Sequence, residues 1–163
     1  MLRVLILITV FLSAGSANSQ SNATHTVEVL DLQVAMKAAL RALVVCNEAG
    51  HQVGASVVDR FGLEQVTLRS NLGGAHVADT ARRKAWTAAT FNLSTLELDK
   101  VAESGEPWGL RTIPGVVPLG GGLPIRSKSG QLLGGIGVAG GGGGENEAKC
   151  AQAGLDAIAD QLE

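Results

Sequence analysis

The sequence predicts an α+β domain in which an antiparallel sheet is covered by helices. Three observations predict it. Apolar residues recur at helical spacing near the start (Leu32, Met36, Ala39, Leu43, Cys46) and again near the end (Ala148, Ala151, Leu155, Ile158, Leu162). Between them, strand-length runs are joined by tight turns, Asp59-Arg60-Phe61-Gly62 and Ser127-Lys128-Ser129-Gly130. The element order is helix, hairpin, helix, short helix, further antiparallel strands and a last helix, with no internal repeat.

The first helix is expected over Val29 to Ala49, stopped by Gly50. Gln52 to Asp59 and Leu63 to Ser70 read as strands; Val66 and Leu68 alternate with Gln65, Thr67 and Arg69, as one wet face requires. A second helix follows Gly73-Gly74 and runs to about Phe91, lining the sheet with Val77, Ala81, Ala85, Trp86 and Ala89. Ser94-Thr95-Leu96-Glu97 is a capping box and starts a short helix to about Ala102. Pro107 and Pro114 make Glu103 to Gly115 a loop. Val116 to Leu119, Leu123 to Arg126 and Gln131 to Ala139 supply strands, and a last helix spans Glu145 to Leu162. Glu145 and Glu147 lie at its positive end, where acidic residues are favourable.

Arg3, the apolar run Val4 to Leu12 and the small residues Ser13 to Ala17 have the layout of a secretory signal peptide, residues 1–19 with cleavage at about 17–23. Residues 24–163 then form a single domain. A secreted or periplasmic location follows, and with it an oxidising environment. The cysteines, Cys46 and Cys150, are therefore expected to be bridged, which requires the first and last helices to pack antiparallel. The net charge of −2 offers no basic field for nucleic acid, and 3 Phe, 2 Trp and no Tyr leave few platforms for stacking bases. There is no C-x-x-C-H for covalent haem and no nucleophile elbow G-x-S-x-G.

The segment Gly120 to Glu147 has 12 glycines in 28 residues, so the backbone there comes close to something. Gly135, Gly137 and Gly140 match a dinucleotide fingerprint formally, but a Rossmann unit needs a second parallel strand after the helix, and none follows. A glycine-rich edge such as Gly134 to Gly140 must be covered, within the domain or by a neighbouring subunit.

Several ordered motifs together resemble one family. They are Ser56-Val57-Val58-Asp59, Gly73-Gly74-Ala75-His76-Val77-Ala78-Asp79, Arg83-Lys84-Ala85-Trp86-Thr87-Ala88-Ala89, Gly120-Gly121-Gly122-Leu123-Pro124-Ile125 and Gly134 to Gly140, with Glu145, Glu147 and Ala153-Gly154-Leu155 following. They are similar to the GlcG/HbpS-like (DUF336) haem-binding and haem-degrading proteins, also related to the C-terminal domain of PduO-type cobalamin adenosyltransferase. The resemblance implies a profilin-like α/β/α fold around a five-stranded antiparallel sheet, and homo-oligomers. It also implies a non-covalent haem b site, with iron release or haem degradation in some members.

The residues that could serve such a site follow from haem's needs: an apolar slot, polar partners for propionates and an axial ligand. With no Tyr, and with Met36 assigned to the helix core, the candidates are His25, His51 and His76. His76, behind two glycines at a helix start, is the expected iron ligand, the alternative being a plain exposed histidine. Arg83, seven residues on, and Lys84 are the expected propionate partners. Gly121 and Gly122 are the expected backbone contacts. Trp86, Trp108 and Phe91 could face a porphyrin, although packing in the core is the commoner use. Glu103-Ser104-Gly105-Glu106 could hold iron through oxygen, although a solvated loop is the commoner use. No catalytic residue is assigned. Three readings remain open: a haem-binding protein, a haem-degrading enzyme, and an accessory or sensor module that binds another small ligand or a membrane or metabolic partner.

Overall fold

Asp31 opens the first helix because its carboxylate accepts the Gln33 amide at 2.8 Å, so α1 (Leu32–Glu48) begins there rather than at Val29. The computed structural model describes residues 23–104 and 109–162, so the expected signal peptide, Gly105, Glu106, Pro107 and Trp108 lie outside the described residues. The face of α1 that is buried is Ala35, Ala38, Ala39, Ala42 and Cys46. Leu32 and Met36, expected inside, are 48% and 45% exposed. Ala39 and Cys46 are buried as expected and Leu43 packs against the core, while Leu32 and Met36 turn outward because α1 packs tightly on the last helix: a Cβ on Gly154 would lie 2.6 Å from the Ala38 carbonyl oxygen. Only small residues fit such an approach.

The hairpin of β1 (Gly54–Asp59) and β2 (Glu64–Arg69) closes through the Asp59 carboxylate, which accepts the amides of Phe61 at 2.8 Å and Leu63 at 2.9 Å. Next come α2 (Val77–Phe91) and α3 (Thr95–Glu103). The expected capping box forms at Ser94 and Glu97. The Ser94 hydroxyl and then its amide hold the Glu97 carboxyl below its ordinary range. A single 3-10 turn, Leu110–Thr112, precedes β3 (Gly122–Arg126) and β4 (Leu132–Ala139). The last helix, α4, spans Gly144–Asp156; it stops short of Leu162, and a 3-10 turn at Ala159–Gln161 completes it.

Among the described residues the sheet has four antiparallel strands in the order β2-β1-β4-β3. The fifth strand expected from the resemblance is not found. Val116 to Leu119 has strand-like residues, yet the Val117 amide donates to the Thr87 hydroxyl on α2 at 3.0 Å and the Val116 amide to the Ile113 carbonyl. Those donors are satisfied without a ladder.

The strand period of two explains the layers. On β4, Ile136 and Val138 join Ala55 and Val57 of β1 in the core beneath α1 and α4. Gly135 and Gly137 face the opposite way, where a Cβ would lie 2.3 Å from the Ala85 carbonyl oxygen and 2.1 Å from that of Ala81. The partner that the glycines approach is thus α2, backbone against backbone. Strand β4 lies between β1 and β3, so the glycine edge is covered within the domain. The Cys46–Cys150 disulfide joins α1 to α4 across 104 positions of sequence, as the antiparallel packing of those helices allows.

Candidate functional site

Where β4 hands over to α4, the run Gly140 to Gly144 turns the chain through positive φ at Gly140, Gly142 and Gly143. It forms one wall of a cleft of about 550 Å³, whose opposite wall is Leu119 and Gly120. The walls meet at their base, where the Cα of Gly144 would lie 2.9 Å from a Cβ on Gly120. The floor is one strip of α2, with His76, Thr80 and Lys84 at successive helical turns, and Asp99 of α3 closes one side.

His76 is the residue before the first turn of α2, is exposed, and makes no side-chain cap hydrogen bond. Its ring lies against Gly74, where a Cβ would be 2.9 Å from Cε1, so Gly74 leaves room for this orientation. The imidazole faces the cleft with donor and acceptor capacity to offer a ligand.

Lys84 is only 3% exposed, and its ammonium is committed. It donates to the Gly120 carbonyl at 2.7 Å, to the Val138 carbonyl at 3.2 Å and to the Glu147 carboxylate. Three acceptors use its three N–H groups. Glu147 lies in the first turn of α4, as expected, and its other oxygen turns back to accept the amides of Gly140 at 2.8 Å and Gly141 at 3.0 Å. This pair ties α2, β4 and both glycine walls together, and Lys84 is a brace rather than an open cation.

The remaining expected site residues separate. Arg83 lies off the cleft strip and donates to the Gly115 carbonyl at 3.3 Å. Gly121 and Gly122 are buried against this chain: a Cβ on the first would lie 2.6 Å from the Val138 carbonyl oxygen and on the second 2.5 Å from that of Lys84. His51 lies behind the glycine wall, its ring 3.3 Å from where a Gly142 Cβ would be, and His25 is in the exposed amino-terminal stretch. Trp86 packs against Gly62 and Gly115, away from the cleft. Glu103 is exposed, and no group of three or more His, Cys, Asp or Glu side chains able to hold a metal is found among the described residues. Thr80, Asp99, Leu119 and Glu147 line the cleft without having been expected there. The acidic pattern marks Glu147, but only the fold brings it to Lys84.

Residues 30–156 match the model of the family described as haem degrading protein HbpS-like. The chain belongs to the HbpS-like family. A solved double mutant of HbpS from Streptomyces reticuli is similar to this HbpS-like chain with TM-score 0.78 and 36% identity, covering 90% of this chain and 98% of the other. A PduOC:heme complex is similar with TM-score 0.72 and 30% identity, covering 80% and 96%. Corrinoid adenosyltransferase PduO of Salmonella typhimurium is 38% identical over 89 residues, which are 53% of this chain and 26% of that enzyme. The HbpS-like chain therefore spans only about a quarter of the enzyme's length.

Proposed function

We propose that this protein is a secreted or periplasmic haem-binding protein whose cleft takes haem b without a covalent bond, with His76 as the iron ligand. The observation that carries the reading is the uncapped, exposed imidazole of His76 in a cleft of about 550 Å³ walled by glycine backbone and Leu119. The similarity to a PduOC:heme complex supports it. The donor set fits: one accessible imidazole for iron, walls of Leu119 and glycine backbone, and a buried Lys84 whose ammonium is already satisfied by Gly120, Val138 and Glu147. Bound haem would supply iron redox chemistry, while the protein would position it and limit water. The amino-terminal signal pattern supports export.

The decisive measurement is a haem titration of the purified protein with the Soret band as readout. His76→Ala should move the Soret position and weaken binding at least tenfold, while His51→Ala leaves both unchanged. The reverse pattern would assign the wrong histidine. The family's description favours a second reading, haem degradation with iron release. It requires the Soret band to bleach with a reductant or peroxide while iron appears in solution. A Soret band that never forms would leave the accessory or sensor reading, with another small ligand or a membrane or metabolic partner.

Self-association belongs to the same proposal. Leu32, Met36 and Leu40 stand exposed along α1 beside the edge strand β2, and a face of this kind is suited to cover by a second copy. Light scattering should give a mass above one chain at micromolar concentration, and a monomer throughout that range would refute it.

A further inference from the structure

Haem carries propionate carboxylates, and the charged groups inside the cleft cannot receive them. Lys84 is consumed by Gly120, Val138 and Glu147, Arg83 bonds Gly115 elsewhere, and Asp99 and Glu147 are themselves acidic. A cation does stand at the side of the cleft. Arg111 places Nη2 3.6 Å from Oδ1 of Asp99, with side-chain exposures of 57% and 24%.

The backbone beneath Arg111 is fixed while its side chain reaches into water. Leu110 is buried, and the turn is closed by the Thr112 amide and hydroxyl, which donate to the Gly109 carbonyl at 2.7 and 2.6 Å. At 3.6 Å and with this exposure the ion pair is weak, worth about fivefold at most in an equilibrium. Exchanging one carboxylate for another on the same guanidinium therefore loses little. A planar guanidinium can then take the incoming carboxylate through two parallel N–H donors, stronger than the contact it replaces.

We propose that Arg111 receives a carboxylate of the ligand at the mouth of the cleft, and that Asp99 is the internal carboxylate that holds its guanidinium there until the ligand displaces it. The carboxylate bearer is haem if the preceding reading holds; the Arg111 assignment extends that reading to the propionate end of the site. Arg111 is a specificity residue for acidic ligands, in place of Arg83 and Lys84.

The test compares haem with haem dimethyl ester, whose propionates are capped, in Soret titrations of the wild type, Arg111→Gln, Arg111→Lys and Asp99→Asn, with circular dichroism to verify folding. Arg111→Gln should weaken haem binding about three- to tenfold and leave the ester unchanged. Arg111→Lys should recover part of the loss, and Asp99→Asn should tighten haem about two- to fivefold. Equal haem affinity in the wild type and Arg111→Gln, or an equal loss for haem and ester, overturns the assignment. If the wild type gives no Soret shift with either compound, the haem reading has failed by itself. The nitrogen-15 signal of the Arg111 guanidinium under titration with succinate then decides: a shift that grows in Asp99→Asn supports the carboxylate site, and an unmoved signal overturns it.

Discussion

Replacing Lys84 by methionine should be among the most damaging single changes in this domain, because it strips three buried acceptors of one donor. Lys84 is 3% exposed and Glu147 7%. Breaking a buried ion pair by removing one partner typically destabilises by about 3 to 5 kcal/mol, since the other charge stays buried and uncompensated. Here Glu147 keeps the Gly140 and Gly141 amides, which places Lys84→Met at the lower end, about 3 kcal/mol. For a domain of this size that is a fall in melting temperature of about 10 °C. Adding Glu147→Gln removes the stranded charge while its amide still accepts from the glycines and can donate to Gly120 or Val138, so the double variant should regain about half of the loss. Urea unfolding followed by circular dichroism, with the disulfide intact and an unchanged m value, measures both. A loss below about 1 kcal/mol for Lys84→Met, or a double variant no more stable than the single one, would refute the brace.

Gly137→Ala should destabilise by about 1 to 3 kcal/mol or more, since its Cβ would lie 2.1 Å from the Ala81 carbonyl oxygen and the obstacle is backbone. Gly130→Ala, which meets nothing within 4 Å, should cost only the strain of a positive φ, about 1 kcal/mol, and equal effects in thermal melts would contradict the close packing of α2 on β4. Thiol titration of the unreduced, denatured protein should find no free thiol, and Cys46→Ala with Cys150→Ala should cost about 2 to 4 kcal/mol; two free thiols in the wild type would sink the bridge. The Glu97 carboxyl is held below its ordinary value of 4.5, so its stabilising contribution is full above that value and is lost as pH falls through the lower folded one. The melting difference between the wild type and Glu97→Ala should therefore shrink between pH 7 and strongly acidic solution, and a constant difference would exclude the charged cap.

What the sequence made legible was local. The Ser94 capping box, the Asp59 turn and the helix start behind Gly73-Gly74 are each decided within a few residues, and each is found where expected. The missing strand at Val116 to Leu119 shows propensity losing to a tertiary partner, the Thr87 hydroxyl. On α1 the expected stripe holds at Ala39, Leu43 and Cys46 but not at Leu32 and Met36: larger apolar residues usually mark the core, whereas a helix packed as closely as this one also buries Ala35, Ala38 and Ala42. The glycines announced a close approach without naming the neighbour, which for Gly135 and Gly137 is α2. Lys84 and Glu147 lie 63 positions apart, and a lysine beside an arginine on a helix reads as a surface cation until the fold buries it.

The two long-range ties converge on one turn of α4. Glu147 and Cys150 are three residues apart on the same helical face, the first braced to Lys84 and the second bridged to Cys46. Small residues carry the packing on both sides of the sheet, Gly135 and Gly137 beneath α2 and Gly154 against Ala38. Such contacts fit closely but bury little apolar surface per residue, so the ion pair and the disulfide do much to fix where α4 sits. The glycine wall inherits that position, because the Gly140 and Gly141 amides are bound by Glu147 itself. A run of glycines would otherwise be the most entropically expensive segment to order around a ligand. Held by Glu147 in advance, it presents a formed wall, and under the proposed haem reading the ordering left for binding would fall on exposed side chains such as His76 and Arg111.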